Sequence, residues 1–261
     1  MRKRNVLVSL VLAFAMTSLV AQGSAEKSTV DLIRDRGVLQ VGCKVDVPSF
    51  GYKNITTGEV EGFEIDLSKA IAKKIFGTDG KVNFTGVTAK TRGPLLDTGE
   101  LDMVVATFTV TDERKKSWDF STIYYTDAVA VMVKKAKGYS SFKDLDGKTI
   151  GVAQSATTKK SIQAGADEAG IKVSFAEYAT YPELKVALDS GRIDAFSVDF
   201  AILNGYMEES CMILPERFAP QDYGIAVKKG NTALLDLVNG TIKELSDSGE
   251  LDAMLKKWGL K

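Results

Sequence analysis

The run ATFTVTDERKKSWDFS (residues 106–121) places an arginine, Arg114, just beyond three alternate threonines, Thr107, Thr109 and Thr111. Other polar residues fall at comparable places, each just after an apolar run: Lys44, residues 85–92 with Arg92, residues 154–158 with Ser155 and Thr157, and Asp199. This set holds hydroxyls, cations and one acid. It can form hydrogen bonds and ion pairs, which is the composition of a binding site. Covalent catalysis is poorly served, because the chain has no histidine. That excludes Ser-His and Cys-His nucleophile activation and histidine-type zinc sites. An arginine on a charged helical turn is ordinarily a solvated surface group, so the surrounding elements must decide what Arg114 does.

Those elements alternate. VLQVGCKV (38–45) reads as a strand, and FEIDLSKAIAKKIF (63–76) as a helix with Phe63, Leu67, Ile71 and Ile75 along one face. KVNFTGV is a strand, RGPLLDTG a short helix ended by Gly99, and DMVVATFT a buried strand. A second series follows: KTIGVA strand, TTKKSIQAGADEAG helix, KVSFAEY strand, YPELKVALDSG helix, DAFSV strand and FAILNGYM helix. The chain closes with strand DYGIAVKKG and helices from about Ala233 to Trp258. Alternating β and α elements predict parallel sheets covered on both faces. The alternation breaks over residues 121–148, where two extended segments run together, and this is read as a crossing between two lobes. A second crossing is expected at residues 223–227. In open α/β sheets ligands bind beyond the carboxyl ends of strands, near helix N-termini. The polar set above occupies those positions.

The 261 residues are 44% hydrophobic, enough for one large domain or two small lobes. Arg2, Lys3 and Arg4 precede an apolar stretch from Val6 to Val20, then small residues before a cut expected after Ala25. This is a secretory signal, with an uncleaved anchor as the alternative. Removing its three basic groups leaves 31 Lys+Arg against 34 Asp+Glu, a net of −3. Nothing in that balance asks for nucleic acid or an acidic membrane. Cys43 and Cys211 are far apart in sequence and are expected to be unpaired thiols.

Five segments resemble the type II periplasmic solute-binding proteins of polar amino-acid ABC transporters: GEVEGFEIDLSKAIAKKI, GELDMVVATFTVTDERKKSWDFSTIYY, SFKDLDGKTIGVAQSATTKK, SGRIDAFSVDFAIL and YGIAVKKG. They cover nearly the whole mature chain in the family's order. The resemblance implies an α/β, two-lobed type II periplasmic binding protein fold, with two mixed, mainly parallel sheets joined by a two-strand hinge. The expected division is a signal peptide over 1–25, lobe 1 over 26–131 and 226–261, and lobe 2 over 132–225.

The resemblance also implies roles. Arg114 matches the arginine that grips the ligand's α-carboxylate, a task suited to a planar fork of donors. Thr107 and Thr109 line the same wall. Across the cleft, the amides of the Ser155 loop and the Thr157 hydroxyl meet the same carboxylate, and Tyr181 rims the pocket. Asp199 matches the acid that receives the α-ammonium; its alternative is a helix N-cap. Lys44 stands where relatives that take basic ligands often place an acid. If Lys44 and Arg92 are both left unneutralised, the ligand should supply an anion. The alternative is that Lys44 pairs with Asp46 and Arg92 merely opens a surface helix. Glu64 and Asp66 are expected only to complement their helix dipole.

The chain is therefore expected to be a monomeric, non-enzymatic periplasmic protein without metal or cofactor. It would deliver aspartate or glutamate to the permease subunits of an ABC transporter. Cysteine or glutamine is the alternative ligand, and a lyase on the same fold a remoter one.

Overall fold

Helix Phe63–Phe76 shows how local chemistry becomes architecture. Phe63, Leu67, Ile71 and Ile75 are all buried along its one apolar face. Its first amides have no capping side chain. The N–H groups of Phe63 and Glu64 instead donate to the carbonyls of Ser49 and Phe50, which fixes the helix start against the turn between strands Asp46–Val47 and Gly51–Lys53. Gly77, at φ 75°, ends it. The computed structural model describes residues 27–77 and 80–261. The signal expected over 1–25 lies outside the described residues, and among these no helix is long and apolar enough to cross a membrane.

Two main sheets form. The first runs, in spatial order, Lys81–Gly86, Val38–Cys43, Met103–Val105, Ala226–Lys228 and Trp118–Phe120. Its first three strands are parallel, and Ala226–Lys228 is antiparallel to both neighbours. The second runs Ser174–Tyr178, Thr149–Ala153, Ala195–Asp199, Tyr125–Lys134 and Cys211–Ile213. Again three parallel strands are followed by antiparallel ones, with Phe218–Tyr223 also lying against Tyr125–Lys134. A small third sheet, Asp46–Val47, Gly51–Lys53 and Val60–Glu61, packs on helix Phe63–Phe76. The fold is thus two-lobed α/β with mixed sheets. Cys43 and Cys211 are buried free thiols in different sheets.

The chain leaves the first sheet after Phe120, joins the second at Tyr125, and returns between Tyr223 and Ala226. The first crossing therefore lies earlier than the expected 131/132 boundary. That boundary falls within Tyr125–Lys134, whose buried run Val129–Val133 is central to the second sheet. Aromatic rings fill the junction: Phe50 packs edge-on against Phe63, Tyr125 and Tyr223 at centroid distances of 6.5, 5.2 and 5.8 Å.

Gly62, immediately before the first long helix, has φ 141°, and a Cβ there would lie 2.1 Å from the Phe50 carbonyl oxygen. Only glycine fits both the angle and the space. Gly62→Ala is expected to destabilise the chain by about 3 kcal/mol, lowering the midpoint of calorimetric melting by roughly 6–12 °C. A midpoint within about 2 °C of wild type would contradict this account of the helix start.

Candidate functional site

Thr111 delivers Arg114 to the cleft. Its hydroxyl caps the short helix Asp112–Lys115 by accepting the Arg114 backbone N–H at 3.1 Å. The guanidinium then spans the lobes: Nη1 donates to the Thr109 carbonyl at 2.7 Å and Nη2 to the Ser155 carbonyl at 3.2 Å. The Phe108 ring supports it at 4.8 Å and supports Arg92 at 3.9 Å, so one aromatic serves two cations. Burial draws the Arg114 pKa down to about 9; Arg92 adds to the effect and Asp199 opposes it.

Asp199 ends the buried strand Ala195–Asp199 and stands at the N-cap position of Phe200–Asn204, yet its side chain makes no capping bond. It accepts the Tyr223 hydroxyl instead. Burial pushes its pKa up to about 7, against the lowering effects of Tyr223, Arg92 and Arg114. A buried carboxylate so placed is suited to an ammonium partner.

Thr109 and Thr157 converge. Both hydroxyls donate to Oε1 of Gln221, at 2.8 and 2.7 Å. Thr109 lies on the first lobe and Thr157 precedes helix Thr158–Ala169 of the second, so Gln221 clasps the two. Thr107 and Ser155 have positive φ, 44° and 61°. Two non-glycine residues in that region at facing positions of a cleft are a mark of functional backbone.

Lys44 and Arg92 are where the charge reading changes. Both are buried, at 2% and 3% exposure. Lys44 Nζ lies 3.0 Å from Asp46 Oδ1, an ion-pair distance at an angle outside hydrogen-bond geometry, and 4.6 Å over the buried Tyr181 ring. Asp46 also joins the lobes, since its Oδ2 accepts the Tyr181 N–H at 3.4 Å and its carbonyl accepts the Tyr206 hydroxyl. Arg92 opens helix Arg92–Asp97 but turns inward, donating to the carbonyls of Ala106 and Thr107 at 2.7 and 3.1 Å. It is not a surface helix start. Nor are the two cations unneutralised: Lys44 has Asp46, and the charge of Glu64 acts on both Lys44 and Arg92.

Glu64 was expected only to complement a helix dipole. It is fully buried, and its Oε1 accepts the Thr107 N–H at 2.6 Å and the Tyr124 hydroxyl. Burial pushes its pKa up to about 7. Around the cleft Lys44, Arg92 and Arg114 therefore face Asp46, Glu64 and Asp199, three cations against three acids. Sequence reading missed Glu64, Asp46, Phe108 and Gln221 as site residues. Asp46 was legible as a pairing option for Lys44. Gln221 had no signal, because its role depends on which strand returns through the junction.

Among the described residues, one group has metal-ligand spacing: Asp189, Glu208 and Cys211. The ammoniums of Lys134 and Lys185 already pair with its carboxylates.

The raised carboxyls of Glu64 and Asp199 give a pH dependence, and Asp127, which burial also raises, adds to it with the same sign. The folded pKa values of Glu64 and Asp199, about 7, lie above their ordinary values of 4.5 and 3.8. The folded chain thus holds protons that the unfolded chain releases, and stability falls as pH rises. The ligand-free protein is expected to lose stability from about pH 4 to about pH 7 and to level off just above, before Arg114, held at about 9, begins to titrate. Exposed carboxylates held low, such as Asp119 and Asp144, titrate below this window. Asp199→Asn should make the slope clearly shallower; denaturant melts across the range test this, and an unchanged slope would contradict the assignment.

A profile of the bacterial extracellular solute-binding proteins, family 3, matches residues 39–261. An ABC transporter glutamine-binding protein of Bacillus subtilis (strain 168) is 37% identical over 98% of this chain and 97% of its own. A glutamine-binding protein of Geobacillus stearothermophilus is 41% identical over 79% of this chain and 78% of its own. Solved structures of an ancestral arginine-binding protein, one bound to arginine and one to glutamine, share 38% identity with it. Their TM-scores are 0.76 and 0.77, over 85% and 87% of this chain and 98% and 99% of theirs.

Proposed function

The chain belongs to the bacterial extracellular solute-binding proteins of family 3, and from that premise we propose that it captures glutamine outside the cytoplasm and presents it to the permease of an ABC transporter. The family is one of transport proteins, so the expected role is binding and release. The observation that carries the choice of ligand is the balance of buried charge. Above pH 7, where Glu64 and Asp199 are ionised, three cations and three acids leave no surplus for a dicarboxylic guest to neutralise, and a zwitterion with an uncharged side chain preserves the balance. Expectation had favoured aspartate or glutamate on the strength of Lys44 and Arg92. The pairing of Lys44 with Asp46 removes that ground, and the glutamine-binding relatives point the same way.

In this reading Arg114 exchanges its carbonyl partners for the ligand's α-carboxylate, assisted by Thr109, Ser155 and Thr157. Asp199 receives the α-ammonium. Lys44, Arg92, Thr107 and Tyr181 form the wall beside the side chain. Closure is favoured because the ligand links groups on both lobes, and only the closed state offers all of them at once.

Titration calorimetry of the purified protein at pH 8 should rank glutamine first among glutamine, glutamate, aspartate, arginine and cystine. Arg114→Ala should weaken glutamine binding by roughly a hundredfold or more, since two charge-assisted bonds to one carboxylate are lost. Tighter binding of glutamate or arginine than of glutamine would overturn the ligand, and normal binding by Arg114→Ala would overturn the site.

A further inference from the structure

Among the described residues, three of the five buried side-chain atoms without a hydrogen-bond partner gather around one residue: Glu64 Oε2, Arg92 Nε and Thr107 Oγ1. Their placement follows from bonds that are made. Arg92 Nη1 holds the Thr107 carbonyl, and Glu64 Oε1 holds the Thr107 N–H, so donor and acceptor reach the same residue from its two sides. Arg92 and Glu64 sense each other's charge, yet they form no direct ion pair among the described residues. What is left over is one N–H donor, one carboxylate acceptor, and a hydroxyl that can serve as either. Buried groups of this kind are normally satisfied.

We propose that Glu64, Arg92 and Thr107 form the subsite that reads the ligand's side-chain carboxamide, with Glu64 as the residue that discriminates glutamine from glutamate. The inference rests on the function proposed above and deepens it. A primary amide carries both halves of the complement: its oxygen accepts from Arg92 Nε–H, and its NH₂ donates to Glu64 Oε2. The Thr107 hydroxyl completes either bond. A ligand carboxylate satisfies Arg92 but has no hydrogen for Glu64, and it sets two anions side by side in a buried place. The positive φ of Thr107, 44°, is the backbone cost of presenting its amide and carbonyl to the two charged partners together. Specificity thus rests on a carboxylate whose only visible task in the sequence is a place in a helix's first turn.

The test reads the ratio of glutamine to glutamate affinity, in wild type and in Glu64→Gln, at pH 8 and pH 5.5. Glu64→Gln keeps the shape and an acceptor for Thr107, and it turns the free oxygen into a donor. Its ratio at pH 8 should fall about tenfold or more. In wild type the ratio should fall on acidification, because a protonated Glu64 also becomes a donor. The titratable and charged groups facing it are Cys43, Lys44, Arg92 and Tyr124. Titration of Asp199 cancels from the ratio, because both ligands carry the same α-ammonium, and the glutamate side chain stays ionised at pH 5.5. An unchanged ratio in folded Glu64→Gln means that a trapped water alone meets these groups, and overturns the subsite. If that variant does not fold, the wild-type pair of pH values decides, and a flat ratio overturns it. Glutamine binding by wild type at pH 8 tests the function separately, so a protein that binds glutamine with an unaltered ratio loses the subsite and keeps the function.

Discussion

Burial of charge between two lobes is the constraint on which the rest of this structure depends. Lys44, Arg92, Thr107, Thr109, Tyr181 and Asp199 are all at most 6% exposed. An isolated ion in such a place would cost several kcal/mol, so each must be answered by a partner, a dipole or a shared proton. The answers differ in kind. Lys44 has a carboxylate and a ring, Arg92 has two carbonyls and a ring, and Arg114 has one carbonyl from each lobe. The acids Glu64 and Asp199 are answered by hydroxyls and by pKa values raised toward neutrality.

The same constraint explains where the backbone is strained. A carboxylate deep in a lobe needs N–H donors, and the interiors of regular strands and helices have none to spare. Thr107 releases its N–H by leaving the strand at positive φ, and Glu64 takes it. Ser155 departs likewise before helix Thr158–Ala169, and its carbonyl meets Arg114. Both departures lie where parallel strands end, the place at which an open α/β sheet has unpaired peptide groups to offer.

Much of this was legible beforehand. The period of Phe63, Leu67, Ile71 and Ile75 announced its helix, and the run of polar residues after successive strands marked the cleft wall. What the chain's order could not carry was pairing at a distance. Whether Lys44 was neutralised depended on a turn bringing Asp46 back within 3.0 Å. Glu64 looked like any acid in a first helical turn, because nothing local says that the helix start is sealed under Phe50 and against Thr107. The first crossing was placed late for a related reason: a long apolar strand reads the same whichever sheet it completes.

On the proposed function, closure and selectivity share one physical basis. The lobes are joined by Gln221, by Asp46 with Tyr181 and Tyr206, and by Arg114 with Ser155. These are neutral or singly charged bonds, individually modest, so a small further bias toward closure decides. A guest that gives Asp199 an ammonium and Arg114 a carboxylate supplies that bias in charge-assisted bonds. One that adds a further charge beside Glu64 returns part of it as repulsion. A binding protein built this way rejects the wrong guest less by shape than by the cost of an unbalanced ion in a closing cleft.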